Sequence, residues 1–125
     1  MGYSLLIIED DKLLGKAIQN ALTEASFKTF WSKEWTEAEE VLKNNHIDLI
    51  FLDIMLPGID GYEILKTLKA DPKYQQITVV MLSNFGQMNE IDRAMSLGAS
   101  DYIVKANIDL EDLVELANKK LTFNK

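Results

Sequence analysis

Cysteine is absent from the chain, which excludes disulfides, thiolate metal sites and thiol catalysis. Histidine occurs once, as His46 in a loop ahead of an apolar run. It reads as a surface or turn residue, with no catalytic dyad available to it at that end of a sheet. No apolar run exceeds four residues, Leu49–Leu52 being one of that length, whereas a bilayer crossing needs roughly 20. No basic segment precedes an apolar stretch at the N-terminus, so neither export nor membrane insertion is expected and a cytoplasmic location follows. Basic residues are outnumbered, 13 Lys and Arg against 20 Asp and Glu, for a net charge of −7. That field repels a phosphate backbone and disfavours direct nucleic-acid binding. The sharp punctuation is confined to Pro57-Gly58 and Asp71-Pro72, neither of which is a domain linker, and there is no internal repeat or low-complexity tract.

What is present is an ordinary globular composition, 47% hydrophobic and 26% charged over 125 residues, enough to bury one core and to predict one domain over 1–125. Leu5–Ile8, Leu49–Leu52, Ile77–Leu82 and Tyr102–Val104 are apolar runs without alternation, as in strands covered on both faces. Lys28–Ser32 alternates as an edge strand does. Leu14, Ala17, Ile18, Ala21, Leu22 and Ala25 follow helical spacing, as do Leu110, Leu113, Val114, Ala117 and Leu121, and weaker helical patterns run over Thr36–Asn44, Gly61–Ala70 and Gln87–Leu97. Gly98 reads as a helix stop. The β-α order, repeated five times, predicts a doubly wound α/β domain, a parallel sheet with helices on both faces and right-handed crossovers.

In such sheets ligands sit beyond the carboxyl ends of the strands. Those ends carry Glu9-Asp10-Asp11 after the first strand, Asp53 after the third, Ser83 after the fourth and Lys105 after the fifth. Any one of the first three acids, alone, is more often a helix N-terminal residue complementing the dipole, and that role is assigned to Asp11. A lone Ser or Lys after a strand is more often a turn or solvated residue. Together they form a constellation. Carboxylates from neighbouring strands repel unless protonated or bridged by a cation, and a hard divalent ion such as Mg²⁺ takes oxygen ligands of this kind. Asp10 and Asp53 are placed as direct ligands, Glu9 as a ligand through water, and the backbone carbonyl of Met55 as an additional one. Asp53 then serves as nucleophile toward a phosphoryl donor, with Lys105 and Ser83 contacting the remaining phosphoryl oxygens.

The segments Leu5–Asp11, Leu52–Gly61 and Gly98–Lys105 closely resemble the receiver domains of two-component response regulators, and the resemblance covers essentially the whole chain. It implies a flavodoxin-like five-stranded sheet of order 2-1-3-4-5. It also implies Asp53 as phosphoacceptor, Glu9 and Asp10 as Mg²⁺ acids, Ser83 as switch hydroxyl, Lys105 as phosphate-binding lysine and Tyr102 as aromatic switch. By the same resemblance the donor is a sensor histidine kinase or histidine phosphotransfer protein docking near the first helix. The output surface is the face of the fourth helix, fifth strand and fifth helix, read by an effector or output domain and able to pair as a phosphorylation-dependent homodimer. No output domain is expected in this chain, and no enzymatic activity beyond its own phosphorylation and dephosphorylation.

Ala106 follows Lys105 where family members usually carry a proline with a cis bond, so a trans bond and an altered lysine reach are expected here. Asn84, Phe85 and Met55 are bulky around the site and predict slow self-hydrolysis through exclusion of water. Trp31 and Trp35 read as packing residues in preference to a docking hot spot, and the methionines as core filler. Three rival functions are open to different degrees. A haloacid-dehalogenase-type phosphatase needs an Asp where Met55 stands, and a flavin mononucleotide carrier needs neutral phosphate donors where Glu9-Asp10-Asp11 stand. A receiver-like interaction module that is never phosphorylated is the third.

Overall fold

The computed structural model describes residues 2–123. Five strands, β1 Ser4–Ile8, β2 Lys28–Ser32, β3 Leu49–Asp53, β4 Thr78–Ser83 and β5 Asp101–Val104, alternate with helices α1 Lys12–Glu24, α2 Trp35–Asn44, α3 Gly61–Ala70, α4 Met88–Ser96 and α5 Leu110–Phe123. The sheet order is β2-β1-β3-β4-β5, and every pair is parallel. The doubly wound α/β expectation is met in class and in strand order.

The absence of alternation in the strand sequences has a direct cause. Leu6, Ile8, Ile50, Leu52, Val79 and Met81 point to one face, where Ala38, Leu42, Ile64, Leu65, Leu68 and Ala94 of α2, α3 and α4 cover them. Leu5, Ile7, Leu49, Phe51, Val80 and Leu82 point to the other, beneath Ile18 and Leu22 of α1 and Leu113, Ala117 and Leu121 of α5. With both sides of the pleat apolar, the period of two is erased from the sequence. At the edge, β2 is half-exposed and places Phe30 and Trp31 against opposite layers.

Helix starts are chemically marked. Asp11 caps α1, its Oδ1 accepting from the N–H groups of Leu13 and Leu14, and Asp60 caps α3 by accepting from Tyr62 N–H at 2.7 Å. Gly98 follows α4 with φ 107°, as the stop predicted there requires. Several boundaries move by one residue from the sequence expectation, with β4 at Thr78–Ser83, β5 from Asp101 and α2 from Trp35. α4 is confined to Met88–Ser96, since Leu97 caps it by donating its N–H to carbonyls of the last turn. Lys105, directly past β5, opens a 3₁₀ turn, Lys105–Asn107, closed by Ile108 N–H donating to Lys105 O at 3.2 Å. No cis peptide bond occurs among the described residues, so Lys105-Ala106 is trans. Among those residues no helix is long and apolar enough to cross a membrane.

Candidate functional site

Because all strands run parallel, their carboxyl ends share one rim. Asp53 and Ser83 are the last residues of β3 and β4, Glu9 directly follows β1, and Lys105 directly follows β5. Gly61 lets α3 start against this rim, since a Cβ there would lie 2.5 Å from the carbonyl oxygen of Asp53.

Carboxylate oxygens of Glu9, Asp10 and Asp53 lie within 4.8 Å of one another. Glu9 is fully buried and Asp53 is 2% exposed, while Asp10 stands exposed at the mouth. From there a shallow cleft runs along residues 54–60. Lys105 reaches in from the opposite side, with Nζ 2.7 Å from Glu9 Oε1 and 3.1 Å from Asp53 Oδ1. A trans bond before Ala106 therefore does not keep the lysine from the acids.

The electrostatics follow from burial. Desolvation, then the charge of Glu9 and a hydrogen bond shared with it, lift Asp53 from 3.8 to about 7, against the opposing pull of Lys105. For Lys105, burial alone would lower the pKa; hydrogen bonding to Glu9 and the charges of Asp53 and Glu9 outweigh it and hold the ammonium above its ordinary value. The pocket is thus short of positive charge even with its lysine in place.

That shortage bears on whether Mg²⁺ fits. Glu9 Oε2 accepts from Asp11 N–H at 3.0 Å, and buried Oε1 is held by the Lys105 ammonium at 2.7 Å. Three carboxylates gathered within 4.8 Å, with a single lysine among them, are hard oxygen donors in excess of their counter-charge, which matches what Mg²⁺ requires. Met55 lies at the rim, its N–H donating to Asp53 Oδ1 at 3.2 Å, its side chain 60% exposed.

Ser83 and Tyr102 converge on one residue. Phe85 N–H donates to Ser83 Oγ at 3.0 Å, and Tyr102 donates its hydroxyl to Phe85 O at 2.7 Å. Ser83 is buried and Tyr102 half-buried. His46 lies at the other end of the sheet, exposed and 2.9 Å from Asp48 Oδ1, away from the acids as expected. Trp31 and Trp35 both pack against core layers.

Some contacts left no trace that sequence reading could use. Phe85 is bonded to Ser83 and Tyr102 through its main chain, whatever its side chain. Tyr62, 2% exposed, donates its hydroxyl to Glu90 Oε2 at 2.7 Å and Glu90 O at 3.0 Å, while the Arg93 guanidinium sits 4.0 Å from its ring centroid. The only hint was an aromatic in the first turn of a helix that otherwise buries aliphatics.

Comparison with known proteins agrees with this geometry. Residues 5–118 match the family described as response regulator receiver domain. A probable transcriptional regulator, ycf29, of Porphyra purpurea is 34% identical over 116 residues, 93% of this chain but 55% of its own length; this chain thus spans about half of that relative. The polar-differentiation response regulator DivK of Brucella ovis is 30% identical over 105 residues, 84% of this chain and 85% of its own. A putative response regulator structure from Chloroflexus aurantiacus J-10-fl superimposes with a TM-score of 0.90 at 26% identity, covering 98% of this chain and 99% of that one. With nearly its whole length matched, its sheet order that of the family and its acids gathered at the strand ends, the chain belongs to the response regulator receiver domains of two-component signalling.

Proposed function

We propose that this domain is a phosphorylation-activated switch in which Asp53 accepts a phosphoryl group, with Mg²⁺ held by Asp53, Asp10 and the Met55 carbonyl and, through water, by Glu9. The observation that carries this reading is the gathering of Glu9, Asp10 and Asp53 within 4.8 Å, with Lys105 Nζ 3.1 Å from Asp53. Such a pocket draws a divalent cation to the side of a carboxylate nucleophile. The bound ion supplies charge neutralisation of the phosphoryl oxygens and keeps Asp53 ionised at neutral pH.

An Asp53 carboxylate oxygen forms a bond to phosphorus as the P–N bond of a donor phosphohistidine breaks, and the leaving imidazole takes up a proton. Lys105, swinging from Glu9, meets a second phosphoryl oxygen as a point charge. Ser83 donates its hydroxyl to a third, which turns Oγ away from Phe85 N–H and loosens the loop between β4 and α4. Tyr102, bonded to the carbonyl of the same residue, transmits the change to the face of α4, β5 and α5. A histidine kinase or phosphotransfer protein is the donor, and an effector or output domain reads that face. The domain turns over no substrate beyond its own phosphorylation and dephosphorylation.

Incubation with Mg²⁺ and acetyl phosphate, read by intact mass, should add one phosphoryl group to the wild type and none to Asp53→Asn. An unmodified wild type would instead favour a constitutive interaction module.

A further inference from the structure

Trp31 is the last residue but one of β2, and its indole N–H donates to the carbonyl oxygen of Glu9 at 2.9 Å. The strand-to-strand bonding of β1 and β2 ends beside it, with Glu9 N–H donating to Ser32 O at 3.0 Å. Beyond that bond the chain turns through Glu9-Asp10-Asp11 into α1. The indole therefore satisfies the first carbonyl past the ladder, a group that otherwise turns to water or leaves the turn loose.

Space for the ring comes from α1. A Cβ on Gly15 would meet three atoms of the Trp31 indole, including Nε1, at 2.4 to 2.6 Å. Gly15 is the fourth residue of α1, inside the helix, where glycine costs about 1 kcal/mol relative to alanine, and it is buried. Its N–H in turn donates to Asp11 O at 2.8 Å, so the residue that admits the indole also anchors the far end of the acidic turn. Lys33 Nζ lies 5.7 Å from the ring centroid on the exposed side and adds a cation–π contact. A large ring, a helix glycine and a backbone carbonyl are thus fitted to one another around the two residues that precede Asp11.

We propose that Trp31, seated on Gly15, is a positioning residue that sets the backbone of the Glu9-Asp10 turn and thereby the Mg²⁺ affinity of the acidic pocket. This rests on the reading of that pocket as a Mg²⁺ site. Partners that orient metal ligands commonly govern affinity through geometry alone. Neither residue touches the phosphoryl group, so at saturating Mg²⁺ the chemistry is unaffected.

The test compares Trp31→Phe, which keeps an aromatic ring and removes the donor, with Gly15→Ala, which pushes the ring off the carbonyl while improving helix propensity. Mg²⁺ binding is measured by isothermal titration calorimetry, folding by chemical denaturation in chelator, and the Mg²⁺ dependence of phosphorylation by acetyl phosphate. Each variant should bind Mg²⁺ about ten-fold more weakly, at the lower end of the usual range for such partners, and the double variant no more weakly than either alone. Both variants should remain folded in chelator, and saturating Mg²⁺ should restore wild-type phosphorylation in both. Wild-type affinity in Trp31→Phe overturns the proposal and leaves the Mg²⁺ reading intact. A wild type that binds no Mg²⁺ overturns both.

Discussion

At the residue scale, the pocket trades stability for reactivity. Asp53 is held from 3.8 up to about 7 by burial and by Glu9, so between those values the folded state binds a proton that the unfolded chain releases. The contribution of Asp53 to stability therefore falls as pH rises through that window, and above it the folded protein carries the full cost of a buried charge. In chelator, the thermal midpoint of the wild type should drop from about pH 5 to about pH 8 relative to Asp53→Asn, and saturating Mg²⁺ should remove most of the difference. Parallel melts of both proteins check this; parallel slopes in chelator would contradict it. Lys105 is the internal counter-ion for Glu9 and Asp53. Lys105→Ala should destabilise the Mg²⁺-free protein by about 2 kcal/mol, less than a typical broken buried pair because Asp53 can protonate. It should also abolish phosphorylation-dependent change at the output face, measured by denaturation and by the fluorescence response to beryllofluoride.

At the scale of elements, what could be read beforehand was what burial writes into sequence. Leu5–Ile8 and Leu49–Leu52 announced doubly covered strands because both faces of the sheet are dry, and Asp11 announced a helix start because an acid there meets the free N–H groups of the first turn. The acids at the strand ends were legible for the same reason, since parallel topology alone brings them together. The 3₁₀ turn at Lys105–Asn107 had no comparable mark, as Ala106 and Asn107 have no strong preference for it. Contacts between distant elements were also silent. Trp31 on Glu9 depends on a missing side chain at Gly15, and Tyr62 on Glu90 joins α3 to α4 through one hydroxyl. Tyr62→Phe removes that tie without opening a cavity and should cost about 1 kcal/mol. Hydrogen exchange should rise in α4 in preference to α3; equal rises in both would argue against a local tie.

At the scale of the whole molecule, the sheet gives the domain two unlike ends. One holds the acids, Lys105 and Ser83, the other an exposed His46–Asp48 pair. Mg²⁺ should raise the thermal midpoint of the wild type and, at equal concentration, barely alter that of Asp53→Asn, because the folded state alone assembles the ligands. Differential scanning fluorimetry checks this, and an equal shift in both would place the ion elsewhere.

Beside the acidic end lies Phe85, gripped through its N–H by Ser83 and through its carbonyl by Tyr102. Both grips are on main chain, so this link constrains the course of the backbone and leaves the side chain at that position out of the relay. On the switch proposed above, the Phe85 ring, 46% exposed, can change with the partner while the main-chain tie to Ser83 and Tyr102 is kept.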